Sequence, residues 1–173
     1  DGNFPRGTEP ISTNLKDLSN AVIKHKADIG LATDPDADRL GIAVKDLNNH
    51  YILLNGNQLM VIMIDFLLNN LKSEDKLNTS QFIATTIVST PLVSKIASYY
   101  NLDCKLCLTG FKWIAKMIED YSKSSFLIGG EESYGMMISD FVRDKDAITA
   151  SLFACEIANY LKQNGSSIFN NLI

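Results

Sequence analysis

Residues 82–130 read FIATTIVSTPLVSKIASYYNLDCKLCLTGFKWIAKMIEDYSKSSFLIGG, and this stretch decides the fold of the chain. Short apolar runs of strand length alternate in it with segments of helical periodicity. The order is a strand at Phe82–Val88, a helix at Pro91–Tyr100, a strand at Cys104–Leu108, a helix at Phe111–Tyr121 and a strand at Phe126–Ile128. Strands that alternate with full helices predict a parallel-rich α/β sheet with crossover helices.

The flanking segments extend this pattern in both directions. Before it lie two predicted strands, Ile29–Thr33 and Leu40–Val44, with a charged turn between them, and a long apolar helix at about residues 58–71. After it, Met136–Ile138 reads as a short strand. We therefore expect an α/β protein with a three-layer βαβ domain at residues 54–173, preceded by part of a similar domain at residues 1–53.

The last predicted helix has clear start and stop signals. Asp146 is a suitable N-cap, and Gly165 is a suitable end, since glycine adopts the left-handed conformation at helix termini. Ile148, Leu152 and Cys155 repeat at helical spacing within it. This stripe is the apolar face that the sequence suggests for the helix.

Composition and charge exclude several function classes. Of the 173 residues, 46% are apolar and 21% are charged, which is typical of a packed globular chain and not of a disordered tail. The net charge is -4 and no basic run is present, so nucleic acid and anionic membrane are poor partners. The most apolar run, Leu59–Leu68, is interrupted by Asp65 and is too short to span a bilayer.

The cysteines and the N-terminal residues bear on location. Three cysteines are too few for a secreted disulfide scaffold, so a reducing cytoplasm is the expected compartment. No signal peptide is visible, and the chain begins with Asp1 instead of Met, which suggests a piece of a longer protein. Cys104 and Cys107 have redox or zinc spacing, but residues three apart on a strand point to opposite faces, and no second cysteine pair exists.

The sharpest chemical feature is the acidic turn, residues 34–39, which reads Asp-Pro-Asp-Ala-Asp-Arg directly after a predicted strand. Asp34, Asp36 and Asp38 alternate, and a turn can bring their carboxylates together on one hard cation. Mg²⁺ prefers such oxygen ligands, and Arg39 adds a bidentate phosphate donor beside them.

Three other interpretations of the acidic turn are open to comparison. An EF-hand would need Gly and Glu where Arg39 and Lys45 stand, so a calcium-sensor loop is excluded. A phosphatase with an aspartyl nucleophile would use Asp34 and Asp36 and leave Asp38 and Arg39 without a role. A solvated acidic turn without a ligand is the third interpretation.

A second feature is the glycine loop, residues 129–135, which reads Gly-Gly-Glu-Glu-Ser-Tyr-Gly at the end of a predicted strand. Open α/β sheets bind ligands at this position. Glu131 and Ser133 lie two residues apart and can bind neighbouring sugar hydroxyls. The glycine spacing differs from that of a dinucleotide-binding fingerprint.

The acidic turn resembles the magnesium loop of the α-D-phosphohexomutase family, and the glycine loop resembles its sugar-recognition loop. Two further segments resemble family motifs in the same order, Thr109–Lys112 and Arg143–Asp146. The form of the motifs is most similar to the branch that contains phosphoglucomutases and phosphomannomutases.

The resemblance implies a four-domain enzyme of which this chain covers the end of the second domain and the third. It implies that Asp34, Asp36 and Asp38 hold Mg²⁺ and that Arg39 faces the transferring phosphoryl group. It further implies substrate contacts for the following residues: Thr109, Glu131, Ser133 and Lys145. Lys112 and Arg143 match the family segments without a definite role.

The implied activity is the interconversion of hexose 1-phosphate and hexose 6-phosphate through an enzyme phosphoserine, with glucose 1,6-bisphosphate as intermediate and activator. The family's phosphoserine loop and its C-terminal phosphate clamp are absent from this sequence. We therefore expect the remaining domains to supply them and this chain alone to be inactive. Two alternatives stay open, an aspartyl-nucleophile phosphatase and a non-catalytic sugar-phosphate-binding module.

Overall fold

The computed structural model describes residues 7–172. It contains five α-helices, seven strands and one 3₁₀ helix within that range. In chain order they are α1 (Lys16–His25), β1 (Ile29–Thr33), β2 (Leu40–Lys45), β3 (Tyr51–Leu53), α2 (Gly56–Ser73), β4 (Gln81–Thr86), α3 (Leu92–Tyr99), β5 (Asp103–Cys107), α4 (Phe111–Asp120), β6 (Ser125–Gly130), β7 (Met136–Ile138), α5 (Ala147–Gln163) and the 3₁₀ helix (Phe169–Asn171).

The strands form two sheets. The first has the order β1-β2-β3 and is antiparallel. The second has the order β5-β4-β6-β7, in which β4 runs parallel to β5 and β6 while β7 is an antiparallel edge. The parallel-rich sheet predicted from residues 82–130 is therefore confirmed.

Helices cover both faces of the second sheet. One apolar cluster contains residues of α2, α3 and α5, and a smaller one on the other face contains Phe111, Ile114 and Ile118 of α4. Cys104 packs against the first cluster and Cys107 lies in the second, as expected for strand residues three apart. The three-layer α/β/α arrangement predicted for this part of the chain is present.

The larger cluster continues into the first sheet. Leu40, Ile42 and Val44 of β2 are buried in it together with residues of α2 and α5. Helix α5 also contacts β1 and β2 directly. This shared core holds the two sheets together and brings the loops at their ends into contact.

Helix ends follow the sequence signals. Asn55 caps α2 with a reciprocal capping box, in which its side chain accepts from the Gln58 amide and the Gln58 side chain accepts from the Asn55 amide. Asp146 caps α5 by accepting from the Ile148 amide at 2.9 Å. Gly165, just past α5, has the left-handed φ of +69° that was expected of it.

Three details differ from the sequence-based expectation. β3 was not predicted, because three half-buried residues carry no periodicity signal. β4 ends at Thr86 instead of continuing to Val88. The predicted apolar stripe of α5 faces outward, since Ile148 is 65% and Leu152 72% exposed, and the helix buries its alanines against the core instead.

Among the described residues, no helix combines the length and the apolar character that a bilayer crossing requires.

Candidate functional site

The acidic turn connects β1 to β2 as a tight hairpin. Thr33 pairs with Leu40 at the end of the ladder, and the Asp34 amide donates to the Arg39 carbonyl at 3.3 Å. Ala37 occupies the left-handed region with φ of +56°, which reverses the chain. As a result, one carboxylate oxygen from each of the three aspartates at 34, 36 and 38 lies within 4.8 Å of the others.

Asp34 is the buried anchor of this turn. Its Oδ1 accepts from the backbone amides of Asp38 at 3.1 Å and Arg39 at 3.0 Å, and its Oδ2 accepts from Arg39 Nε at 2.6 Å. Burial by itself would raise the pKa of Asp34, but the hydrogen bonds and the charge of Arg39 outweigh it, so the pKa is lowered. The carboxylate is thus charged and tightly held: Oδ1 accepts two amides, while Oδ2 accepts from Arg39 and keeps a second acceptor position.

Asp38 is shared between the acidic turn and the start of α5. Its Oδ2 lies 2.7 Å from Lys145 Nζ. Its Oδ1 is buried and has no hydrogen-bond partner among residues 7–172, although Arg39 Nε lies 3.5 Å away as an ion-pair contact. A buried carboxylate oxygen without a partner is costly, so this atom is ready for a cation.

The glycine loop leaves the end of β6 with Glu131 turned into the protein. Glu131 is only 4% exposed, and its Oε1 accepts from the Gly110 amide at 2.5 Å. Ser133 Oγ lies 3.4 Å from Glu131 Oε2, so the carboxylate and the hydroxyl share one side of the loop. Gly110 has a φ of +117°, which only glycine adopts without strain.

Backbone hydrogen bonds join the acidic turn to the glycine loop. The Leu40 amide donates to the Tyr134 carbonyl at 3.1 Å, and Arg39 forms a β-bridge with Gly135. The Ala147 amide at the start of α5 donates to the Ala37 carbonyl at 3.0 Å. Two loops that are about 95 residues apart in sequence therefore form one continuous surface.

The structure brings some of the predicted site residues together and leaves others exposed. Asp34, Asp36, Asp38, Arg39 and Lys145 lie together around the acidic turn, and Glu131 and Ser133 lie in the adjoining loop. Thr109 is exposed next to Gly110, which contacts Glu131. The side chains of Lys112 and Arg143 are also exposed, with Lys112 Nζ 5.3 Å from the Trp113 ring centroid. The roles assigned to all of these residues stay predictions.

Sequence reasoning missed a hydrogen-bonded group behind the glycine loop. Glu132 Oε2 accepts from Ser89 Oγ at 2.9 Å and from Thr86 Oγ1 at 3.2 Å. The only sequence signal is that these hydroxyls follow the apolar residues of β4, and this signal does not name a partner.

Two segments of the chain match models of protein families. Residues 55–173 match the family model described as phosphoglucomutase/phosphomannomutase, alpha/beta/alpha domain III, and residues 1–48 match the one described as domain II of the same family. The chain belongs to the phosphoglucomutase/phosphomannomutase family.

Phosphoglucomutases are among the relatives of this chain. The phosphoglucomutase of Staphylococcus epidermidis is 39% identical over 147 residues, which cover 84% of this chain and 26% of that protein. The one from Staphylococcus aureus strain USA300 is 36% identical over 152 residues, or 86% of this chain and 26% of the relative. The chain thus spans about a quarter of the length of these relatives.

Solved structures support the fold. A phosphoglucomutase/phosphomannomutase family protein from Burkholderia thailandensis superposes with a TM-score of 0.76 at 19% identity, over 99% of this chain and 34% of that one. At this identity the likeness supports the α/β/α architecture and says nothing about substrate.

Proposed function

We propose that the chain is the central segment of a phosphohexomutase, which interconverts hexose 1-phosphate and hexose 6-phosphate through an enzyme phosphoserine and a bisphosphate intermediate. The observation that carries the proposal is the backbone connection between the acidic turn and the glycine loop. This connection would present a phosphoryl group and a sugar to adjacent parts of one surface.

The acidic turn has the donor set that Mg²⁺ prefers. Its three clustered ligands are all carboxylate oxygens, and Asp38 Oδ1 is buried without a hydrogen-bond partner in the described part of the chain. In our proposal Asp34, Asp36 and Asp38 hold the ion. When bound, Mg²⁺ supplies neutralisation of the charge on the transferring phosphoryl group.

Arg39 has a suitable position for that phosphoryl group. Its Nε is used by Asp34, and this contact orients the guanidinium. The side chain remains 27% exposed, and its Nη1 lies 3.6 Å from the exposed carboxylate of Glu9, a surface ion pair that a phosphate could replace as acceptor for the terminal N–H groups. Its burial lowers the pKa while its pairing with Asp34 and Asp38 raises it, and the raised net pKa keeps the group charged.

The glycine loop would bind the sugar. Glu131 and Ser133 offer an acceptor and a hydroxyl on one side of the loop, which suits neighbouring ring hydroxyls. Thr109 and Lys145 would complete the substrate contacts from the ends of β5 and α5. Burial alone would lower the pKa of Lys145, but its pairing with Asp38 outweighs burial, so the net pKa is raised. Lys145 is therefore a cation beside the acidic turn.

The rest of the enzyme lies outside this chain in our proposal. Further domains would supply the phosphoserine and the second phosphate-binding site, and glucose 1,6-bisphosphate would act as intermediate and activator. We propose domain limits at residues 1–53 and 54–173, which the separation into two sheets supports. The cysteines at 104, 107 and 155 are free thiols, which suits the cytoplasm.

Magnesium titration of an Asp36→Asn variant tests the proposal. The chain should bind Mg²⁺ in calorimetry, and Asp36→Asn should weaken binding by at least about tenfold, because one of three charged ligands is lost. In the full-length enzyme the same change should greatly slow mutase turnover.

Asp75→Asn is the matched control, since Asp75 is an exposed aspartate past the far end of α2, outside the acidic cluster. Equal Mg²⁺ affinity of Asp36→Asn and Asp75→Asn would contradict the metal assignment. Full-length protein without turnover of any hexose phosphate would contradict the activity.

A further inference from the structure

Glu132 contacts a different part of the fold from its neighbours in the glycine loop. Glu131 bonds to Gly110 in the loop between β5 and α4, whereas the Glu132 carboxylate bonds to Thr86, the last residue of β4, and to Ser89 in the loop that follows. The turn after β6 therefore directs the carboxylates of Glu131 and Glu132 to different segments of the chain.

The Glu132 contacts form a closed group. Ser89 Oγ and Thr86 Oγ1 lie 2.8 Å apart, and both contact the same carboxylate oxygen of Glu132. Ser89 Oγ also accepts from the Glu132 amide at 3.3 Å, which fixes the backbone as well as the side chain. Thr86 is 1% exposed, so part of this group is shielded from water, where such hydrogen bonds are strong.

Helix α2 confines the loop from another direction. A Cβ at Gly56 would lie 2.0 Å from the Glu132 carbonyl oxygen, so the loop backbone rests directly on the start of α2. Asn57 Oδ1 accepts from the Thr90 amide at 2.9 Å, which ties the segment containing Ser89 to the same helix end. The Glu132 backbone and side chain are thus held by two elements.

We propose that Glu132 is a positioning residue, which fixes the glycine loop so that Glu131 and Ser133 meet the sugar hydroxyls at the correct distance. This inference rests on the proposed sugar-binding role of that loop. Hydrogen-bonded supports behind a site commonly set its geometry, and a misplacement of about 1 Å can cost about 100-fold in rate.

The test compares kinetics in the full-length enzyme for Glu132→Ala, Ser89→Ala and their double variant. Substrates are glucose 1-phosphate and analogues that each lack one ring hydroxyl. For Glu132→Ala we expect kcat/KM on glucose 1-phosphate to fall about 10- to 100-fold. The fall should be much smaller for the analogue without the recognised hydroxyl, so discrimination between the two substrates is lost.

Ser89→Ala should lower kcat/KM in the same direction but by less. The double variant should have the same kcat/KM as Glu132→Ala, because both substitutions disrupt the same hydrogen-bonded group. Glu132→Gln should restore much of the activity, since the amide keeps a hydrogen-bond acceptor. Glu156→Ala on the exposed side of α5 is the control and should behave as wild type.

An equal loss of kcat/KM on every analogue would overturn the proposal. Additive effects of Glu132→Ala and Ser89→Ala would also overturn it, because they would mean that Glu132 acts independently of Ser89, as in a direct contact with the sugar. Unchanged kinetics would also overturn it. If Glu132→Ala does not fold, Glu132→Gln and Ser89→Ala give the same comparison.

Amide hydrogen exchange separates this inference from the proposed function. The Gly110 amide donates to Glu131, so it should exchange about tenfold faster in Glu132→Ala if the loop is released. Faster exchange in an enzyme without mutase turnover would refute the proposed activity alone. Unchanged exchange in an active enzyme would refute the positioning role alone.

Discussion

Replacing Gly56 with alanine should displace the glycine loop and destabilise the chain. Gly56 is the first residue of α2, and an added Cβ would lie 2.0 Å from the carbonyl oxygen of Glu132, 2.6 Å from its carbonyl carbon and 2.8 Å from the Tyr134 nitrogen. All three are backbone atoms, so no side chain can rotate to relieve the clash.

The displacement follows from these distances. Real Cβ contacts essentially never lie under 3.0 Å, so the loop and the helix must separate by at least about 1 Å from the 2.0 Å contact at Gly56. Overpacking of this kind costs about 1–3 kcal/mol. The better helix propensity of alanine offsets at most about 1 kcal/mol. We expect a net loss of about 1–2 kcal/mol in the free energy of unfolding.

Urea unfolding of the chain, followed by circular dichroism, measures this loss. Asn69→Ala, an exposed position on the same helix, is the control and should change stability by less than about 0.5 kcal/mol. In the full-length enzyme a shift of about 1 Å at Glu131 and Ser133 should lower kcat/KM about 100-fold, or about 2.7 kcal/mol. A Gly56→Ala chain as stable as wild type, with unchanged amide chemical shifts at Glu132 and Tyr134, would refute the reasoning.

Further predictions concern the site and its surroundings. Glu131→Ala in the full-length enzyme should lose about 2–4 kcal/mol of transition-state stabilisation, and kcat/KM reports it; a variant that unfolds with unchanged sugar affinity per folded molecule would make Glu131 structural. This chain alone should not convert glucose 1-phosphate to glucose 6-phosphate in a coupled assay with Mg²⁺ and the bisphosphate, and turnover by pure chain would show that the nucleophile is misplaced. The lowered pKa of Asp34, where the Arg39 hydrogen bonds outweigh burial, adds stability that is complete above its unfolded pKa of about 3.9 and is lost as pH falls through the folded value. Urea midpoints from pH 5 to pH 2 should fall less steeply for Asp34→Asn than for wild type. Burial raises the pKa of the Cys107 thiol to about 11, so a thiol reagent at pH 8 should label the exposed Cys155 first, and preferential labelling of Cys107 would contradict this.

The second sheet could be predicted because its signals are local. β4 and β6 contain short apolar runs, β5 alternates apolar with charged residues, and α4 has its apolar residues on one stripe, so period and length identify them. Strand ends were less certain, since Ile87 and Val88 continue the apolar run of β4 but lie beyond its end and are exposed. A turn ends β4, in which the Ser89 amide donates to the Thr86 carbonyl at 3.2 Å, and the apolar composition of the run does not report that turn.

The outward stripe of α5 has a physical reason that sequence periodicity does not contain. Ile148 and Leu152 are exposed, and the face that the helix buries consists of small residues in its first half and large ones in its second: Ala147, Ala150, Ala154, Ile157 and Leu161. Small side chains allow the helix to lie close to β7 and to the first sheet. Which face is buried depends on the space left by those neighbours, and a single sequence does not define that space.

Three features of the protein could be predicted from the order of its residues: the alternation of strands and helices, the carboxylate spacing of the acidic turn and the succession of family motifs. These follow from local properties: side-chain period, backbone preference and residue chemistry. The contacts of Lys145 with Asp38 and of Glu132 with Ser89 appear only in the folded molecule. Lys145 meets Asp38 because the two sheets share one apolar core, whose packing depends on all of its members together. Ser89 meets Glu132 because β4 and β6, which precede them, are neighbours in the second sheet.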